Sequence, residues 1–182
     1  MRNLIKSIAG HISVSNNYTK EEEEKVEYAL RVFIFEALKI VGALVIFSIL
    51  GYSLRATITI MTMAIIKPHI GGYHEDTQIK CFVATLIIIG SILYLSINLN
   101  MDFVSKLILV GISFYCIWHQ APVINSNMAL TNPELIKRNR TIGILITILF
   151  TLVSIIFHKN TLISNTILWT IVFQALLMFN KR

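Results

Sequence analysis

Six long apolar segments, separated by short charged stretches, constrain this chain more than any other feature of it. They cover residues 26–50, 54–66, 79–97, 103–118, 141–157 and 162–179. An unpaired charge at the centre of a bilayer costs at least a few kcal/mol. Soluble domains, by contrast, carry about 25% charged residues. Here 14% of the 182 residues are charged and 55% are hydrophobic, with the charges gathered at the segment ends. No soluble fold accommodates that pattern. It predicts an all-α, polytopic membrane helix bundle with about six transmembrane helices, built as a single integral membrane domain over residues 1–182.

The first residues read differently. Met1, Leu4, Ile5, Ile8 and Ile12 recur at helical spacing, with Asn3, Lys6, Ser7 and His11 opposite. That is an amphipathic helix over 1–17, expected either in the membrane interface or packed on the bundle of residues 19–182. The stretch lacks a continuous apolar core and a small-residue cleavage site, so no cleavable signal peptide is expected. Thr19 and Glu22 have the spacing of a capping box. The acidic run from Glu21 to Glu24 suits the positive end of a helix macrodipole.

Two charged positions strain the simple picture. Glu36 and Lys39 lie inside the first span at i, i+3 spacing, either as a functional feature or as a mutually neutralising pair. Segment 54–66, bounded by Arg55 and Lys67, is too short for a hydrocarbon core of about 30 Å at 1.5 Å per residue. Either Arg55 snorkels, the bilayer thins, or the chain from Lys67 onward starts below the membrane surface.

The net charge of +6 does not point to nucleic acid, because the basic residues flank apolar segments and form no patch. With six spans and the N-terminus inside, the 16 Lys and Arg residues divide unequally. Only Arg55, Lys106 and Lys159 fall outside, Lys39 lies within a span, and the rest are inside. Both termini are therefore expected to be cytoplasmic. The two cysteines, Cys81 and Cys116, are too few for a disulfide framework.

The segment with the most chemistry is 67–81, Lys-Pro-His-Ile-Gly-Gly-Tyr-His-Glu-Asp-Thr-Gln-Ile-Lys-Cys. Pro68 and the pair Gly71 and Gly72 are expected to break the helix and turn the backbone tightly. Asp76 or Thr77 then caps a new helix. Cys81 falls about one turn into it, beside unbonded backbone N–H groups, where a helix N-terminus favours a nucleophilic thiolate. His74 stands seven residues earlier, about 10 Å away along the axis if all were helical. A Cys–His pair thus requires the chain to fold back, and the glycines before His74 give it that freedom. An imidazole that reaches the sulfur takes the thiol proton and later delivers it to a leaving amine.

Two other readings of these residues stand beside catalysis: a structural loop with a buried cysteine, and zinc held by His69, His74 and Cys81. His74 and Glu75 open like a zincin motif, but Gln78 occupies the position of its second histidine. Cys116 reads as a packing residue, and His119 shares the membrane face of the 67–81 segment. His158 belongs to the opposite loop and cannot meet Cys81. Gln120, Asn125 and Asn127 are all candidates to orient His74, and nothing selects one.

With Gly-Gly-Tyr-His74 followed at seven residues by Cys81, at the inner start of a span, the chain resembles the accessory gene regulator B (AgrB) family. Those proteins are membrane cysteine endopeptidases of bacterial quorum sensing. The amphipathic N-terminus, the six apolar segments, and the stretch from Ala121-Pro122-Val123 to Leu135-Ile136-Lys137-Arg138 extend the likeness over nearly the whole chain.

The resemblance implies that Cys81 is the nucleophile and His74 the general base, with no cofactor and no metal. Lys67, Gly71, Gly72, Glu75 and Gln78 become supporting or substrate-binding positions. Lys67 stands where many members carry arginine and so offers a point charge in place of a planar fork. Glu75 stands where alanine is common. An oxyanion hole is expected from backbone N–H groups near residues 78–81.

The implied substrate is an AgrD-type propeptide, cut on the C-terminal side of its future ring and held as a thioester on Cys81. A cysteine or serine of the peptide then closes a thiolactone or lactone. The implied setting is a bacterial cell membrane, with the lipid bilayer as partner and a homodimer as the oligomer the family suggests. The rival from another class is a non-catalytic peptide exporter, for which Glu36 and Lys39 matter and Cys81 is dispensable.

Overall fold

The computed structural model describes residues 2–16, 18–72, 77–123 and 132–179. Among them the chain is helical throughout, without strands: α1 (Arg2–Asn16), α2 (Lys20–Ile49), α3 (Ser53–Ile70), α4 (Gln78–Asn98), α5 (Phe103–Gln120), α6 (Pro133–Ile156) and α7 (Thr161–Leu177). It divides into two compact units, Met1–Ala43 and Leu44–Arg182, with the boundary inside α2.

In the first unit, α2 opens on the expected capping box. The Thr19 N–H and hydroxyl both donate to Glu22 Oε2 at 2.8 Å, and the Glu22 N–H reaches Thr19 Oγ1 at 3.4 Å. Lys25 bonds Glu21 one turn back at 2.8 Å, and Lys39 bonds Glu36 at 2.6 Å. In α1 the buried stripe is Ile5, Ala9 and Ser13, whereas Ile8 is exposed. That stripe is rotated from the one the apolar spacing suggests, because small residues at i+4 intervals permit closer packing than isoleucines.

The second unit is built around α7. A helix that is apolar all round is a buried helix, and α7 is buried from Ser164 through Ala175 on several faces. It packs against α3, α4, α5 and α6, while α3 also packs on α6. Four helices are long and apolar enough to cross a membrane: α2, α4, α5 and α6. Helices α4, α5 and α6 keep large apolar side chains exposed, among them Ile87, Ile112 and Leu149. Helices α3 and α7, of 18 and 17 residues, are the most enclosed.

The polar residues at one end of this unit explain how Arg55 is tolerated. Its guanidinium turns inward, donating to Ser96 O at 3.4 Å, Ser96 Oγ at 3.3 Å and Thr166 Oγ1 at 3.4 Å. Asn165 Nδ2 donates to Ser96 O at 3.4 Å and Leu99 O at 3.3 Å. These carbonyls end α4 and have no donor within the helix. Beside them Lys106, 5% exposed, donates to Ser164 Oγ at 2.9 Å and to His158 O, in the turn after α6, at 3.4 Å. Both cations thus sit at the negative ends of helices, and among the described residues neither has a carboxylate partner.

At the opposite end α3 crosses α6 at Gly143. A Cβ there would lie 2.7 Å from Ile70 Cγ2 and 3.1 Å from His69 Cβ. Gly143→Leu overpacks a buried contact and should cost about 1–3 kcal/mol. The readout is a lower midpoint of thermal unfolding in detergent. Gly111→Ala, where a Cβ meets nothing within 4 Å, should leave the midpoint unchanged.

The α3–α4 turn as candidate active site

Pro68 lies inside α3, three residues before Gly71, and the break expected of Pro68 and the two glycines together falls at the glycines. The helix stops at Gly71, with φ 75° and ψ −158°, whose N–H closes on Lys67 O at 2.9 Å. Gly71 forms a parallel bridge with Val123, whose N–H donates to Ile70 O at 2.8 Å. A Cβ on Gly71 would stand 2.1 Å from Val123 O, so only glycine fits. Gly72, with φ 135°, is buried against the Leu177 carbonyl at the end of α7. The turn leaving α3 is therefore clamped by the loop after α5 and by the end of α7.

The far side of the turn is equally defined. Thr77 adopts an extended conformation, and its side chain accepts the Lys80 N–H at 3.4 Å. Of the two expected caps, Thr77 serves, and Asp76 lies outside the described residues. Cys81 is half-buried in the first turn of α4. Its own N–H donates to Thr77 O at 2.9 Å, the first backbone bond of the helix. Among the described residues, the N–H groups left unengaged at this helix end are those of Gln78 and Ile79. Gln78 itself is exposed.

The structure thus brings Lys67, Gly71 and Gly72 to the end of α3, and Gln78 and Cys81 to the start of α4. His74 and Glu75, between them, lie outside the described residues, as do Asn125 and Asn127. His69 packs on α6 at Gly143, and its Nδ1 is buried with no hydrogen-bond partner among the described residues, as is Gln120 Oε1. Among the described residues no three His, Cys, Asp or Glu side chains gather into a metal site. Cys116 packs against the apolar cluster around Ile117, and the ring of His119 lies 4.7 Å from that of Tyr115. His158 sits in the turn after α6, its ring 5.3 Å from Phe103.

Residues 133–140, which precede the apolar segment 141–157, are already helix. Asn132 caps α6 by accepting the Glu134 N–H at 2.9 Å, and Pro133 occupies the first helical turn. Lys137, Arg138 and Arg140 therefore ride on a helix, and Arg140 donates to Trp118 O at 3.1 Å, tying α6 to the end of α5.

Sequence reasoning missed Val123 and Leu177 as walls of the turn, since no local pattern marks a partner from a distant loop. It also missed Gln174, buried on α7 with neither carboxamide atom hydrogen-bonded among the described residues. A buried amide without a partner costs roughly 2–7 kcal/mol. The available signal was one glutamine in an otherwise apolar helical stripe.

The fold defines a helical membrane protein, and comparison with known proteins defines its family. The model of accessory gene regulator B matches residues 5–178. An AgrB-like protein 1 of Clostridium perfringens (strain 13 / Type A) is 41% identical over 181 residues, covering 100% of this chain and 97% of that protein. Accessory gene regulator protein B of Staphylococcus aureus (strain bovine RF122 / ET3-1) is 23% identical over 156 residues, covering 86% and 83%. No solved structure matches the chain. The chain belongs to the accessory gene regulator B family.

The clamp yields a paired prediction. Gly71→Ala should disrupt the turn, since its Cβ has no room beside Val123 O. Gly51→Ala shares a positive φ of 82° but meets nothing within 4 Å, and should cost only the left-handed backbone penalty of about 1–2 kcal/mol. Thermal midpoints and limited proteolysis at the α3–α4 connection, measured for both variants, check this.

Proposed function

We propose that the chain is a membrane-embedded cysteine endopeptidase of quorum sensing, acting on an AgrD-like propeptide. The observation that carries this is the position of Cys81: in the first turn of α4, a few residues from a turn that Val123 and Leu177 hold in place. The family supports the assignment of Cys81 as nucleophile and His74 as base. Lys67, Glu75 and the turn glycines are assigned supporting roles.

In the first step the Cys81 sulfur bonds to the scissile carbonyl carbon, and His74 accepts the thiol proton. The N–H groups of Gln78 and Ile79 face the developing oxyanion as donors. Collapse breaks the C–N bond, His74 protonates the leaving amine, and the N-terminal part of the propeptide remains as a thioester. In the second step a cysteine thiol or serine hydroxyl of that peptide attacks the thioester carbonyl. The ring closes and the proton returns to Cys81.

The whole chain acts as one integral membrane domain of the bacterial cell membrane, multi-pass, with α1 in the interface and both termini cytoplasmic. A homodimer is its proposed assembly. The ion pair of Glu36 and Lys39 within α2 favours one competing reading, a peptide exporter without catalysis.

Cys81→Ala and Cys81→Ser should abolish propeptide cleavage, and His74→Ala should reduce it about 10²–10⁴-fold, with membrane insertion intact in each. Glu36→Gln with Lys39→Met should leave cleavage in place. The assay is release of the C-terminal fragment in reconstituted vesicles. Retained cleavage in Cys81→Ala would sink the peptidase reading and leave the exporter.

A further inference from the structure

Ile167, Ile171, Gln174 and Met178 follow i, i+4, i+7 and i+11 spacing and form one stripe along α7. The three apolar members belong to the buried cluster that includes Ile66 and Ile70 of α3 and Ile117 and Ala121 of α5. Gln174 sits among them at 1% exposure, and neither Oε1 nor Nε2 has a hydrogen-bond partner among the described residues. A polar residue that only fixes helix register pairs with a neighbour across the seam. This one does not.

Gln174 also lies one turn from Leu177, whose carbonyl faces Gly72 in the clamped turn. Its neighbour Phe173 lines an open surface groove with Ile87, Gly90 and Ser91 of α4, and Gln174 is not among the residues lining it.

We propose that Gln174 is a substrate-binding residue whose carboxamide grips a main-chain peptide group of the propeptide, a role that rests on the peptidase reading above. A primary carboxamide offers one acceptor and one donor side by side. An extended peptide presents the complementary N–H and C=O of a single residue, so the pair forms two hydrogen bonds at once. Because main chain is what is recognised, the subsite holds peptides of differing side chains. Gln174 is enclosed when the site is empty, so the seam between α3 and α7 opens to admit the peptide.

The test uses Gln174→Leu, which keeps the volume and removes the unpaired amide, and Gln174→Asn, which keeps a shortened carboxamide. In reconstituted full-length protein, Gln174→Leu should raise KM for the propeptide at least tenfold with kcat within threefold, and its thermal midpoint should not fall. Gln174→Asn should give a smaller rise in KM. Combined with Cys81→Ala, Gln174→Leu should weaken propeptide binding by a similar factor.

An unchanged KM overturns the proposal. So does a rise in KM accompanied by a lower thermal midpoint, which marks a packing role. Cleavage persisting in Cys81→Ala alone is a separate result, and it removes the peptidase reading whatever Gln174 does.

Discussion

Lipid offers no hydrogen bonds, so every polar group at a helix end must be met from within the chain. That constraint organises the unit Leu44–Arg182. The final carbonyls of α4 take Arg55 and Asn165, and the turn after α6 takes Lys106. All three donors lie close to the first turns of α7 through Ser164, Asn165 and Thr166. The charges that complicated the sequence are thus the caps that let neighbouring helices end together. Replacing them by apolar residues would leave those carbonyls without their side-chain donors.

The opposite end solves a different problem. There α3 must stop, turn, and deliver the chain to α4, and it does so by close approach of backbone to backbone. Glycine permits that approach at Gly71 against Val123, the positive φ of 135° favours glycine at Gly72, and Gly143 lets α3 cross α6 closely. A turn fixed by backbone contacts from two other elements loses little further entropy when a ligand binds. Cys81 lies in the first turn of α4, four residues after its cap at Thr77. One end of the unit is held by long polar side chains, and the end that carries the candidate chemistry by the absence of side chains.

Much of this was legible because local chemistry dictated it. The Thr19–Glu22 box, the cap at Thr77 and the glycine turn are short-range features, and each appears where its residues predict. What misled was local signal read without its surroundings. Asn132, Pro133 and Glu134 spell a helix start, yet the apolar segment by which that helix was read begins only at Thr141. Pro68 was read as a breaker together with the two glycines, and the helix ends only at the glycines. The inward turn of Arg55 depends on carbonyls forty residues away, and Val123 and Leu177 come from distant elements. No periodicity encodes such partners. Membership of the accessory gene regulator B family, by contrast, was readable from Gly-Gly-Tyr-His74 and Cys81, because the motif lies within a dozen residues.

For the proposed reaction, geometry bears on energetics as well as rate. An amide is more stable than a thioester, so transfer of the acyl group to Cys81 runs uphill. The second step exchanges one thioester for another, or for an ester, and is close to balanced. The intermediate is therefore scarce, and its productive fate depends on ring closure outrunning both hydrolysis and the reverse reaction. A sulfur half-buried beside a backbone-clamped turn, at the end of an apolar bundle, limits the approach of water. It also holds the acyl chain in few conformations, which raises the effective concentration of the peptide's own nucleophile. In the proposed reaction, the fixed exit from α3 at Gly71 and Gly72 thus serves the uphill half of the chemistry, and the grip proposed for Gln174 the ring-closing half.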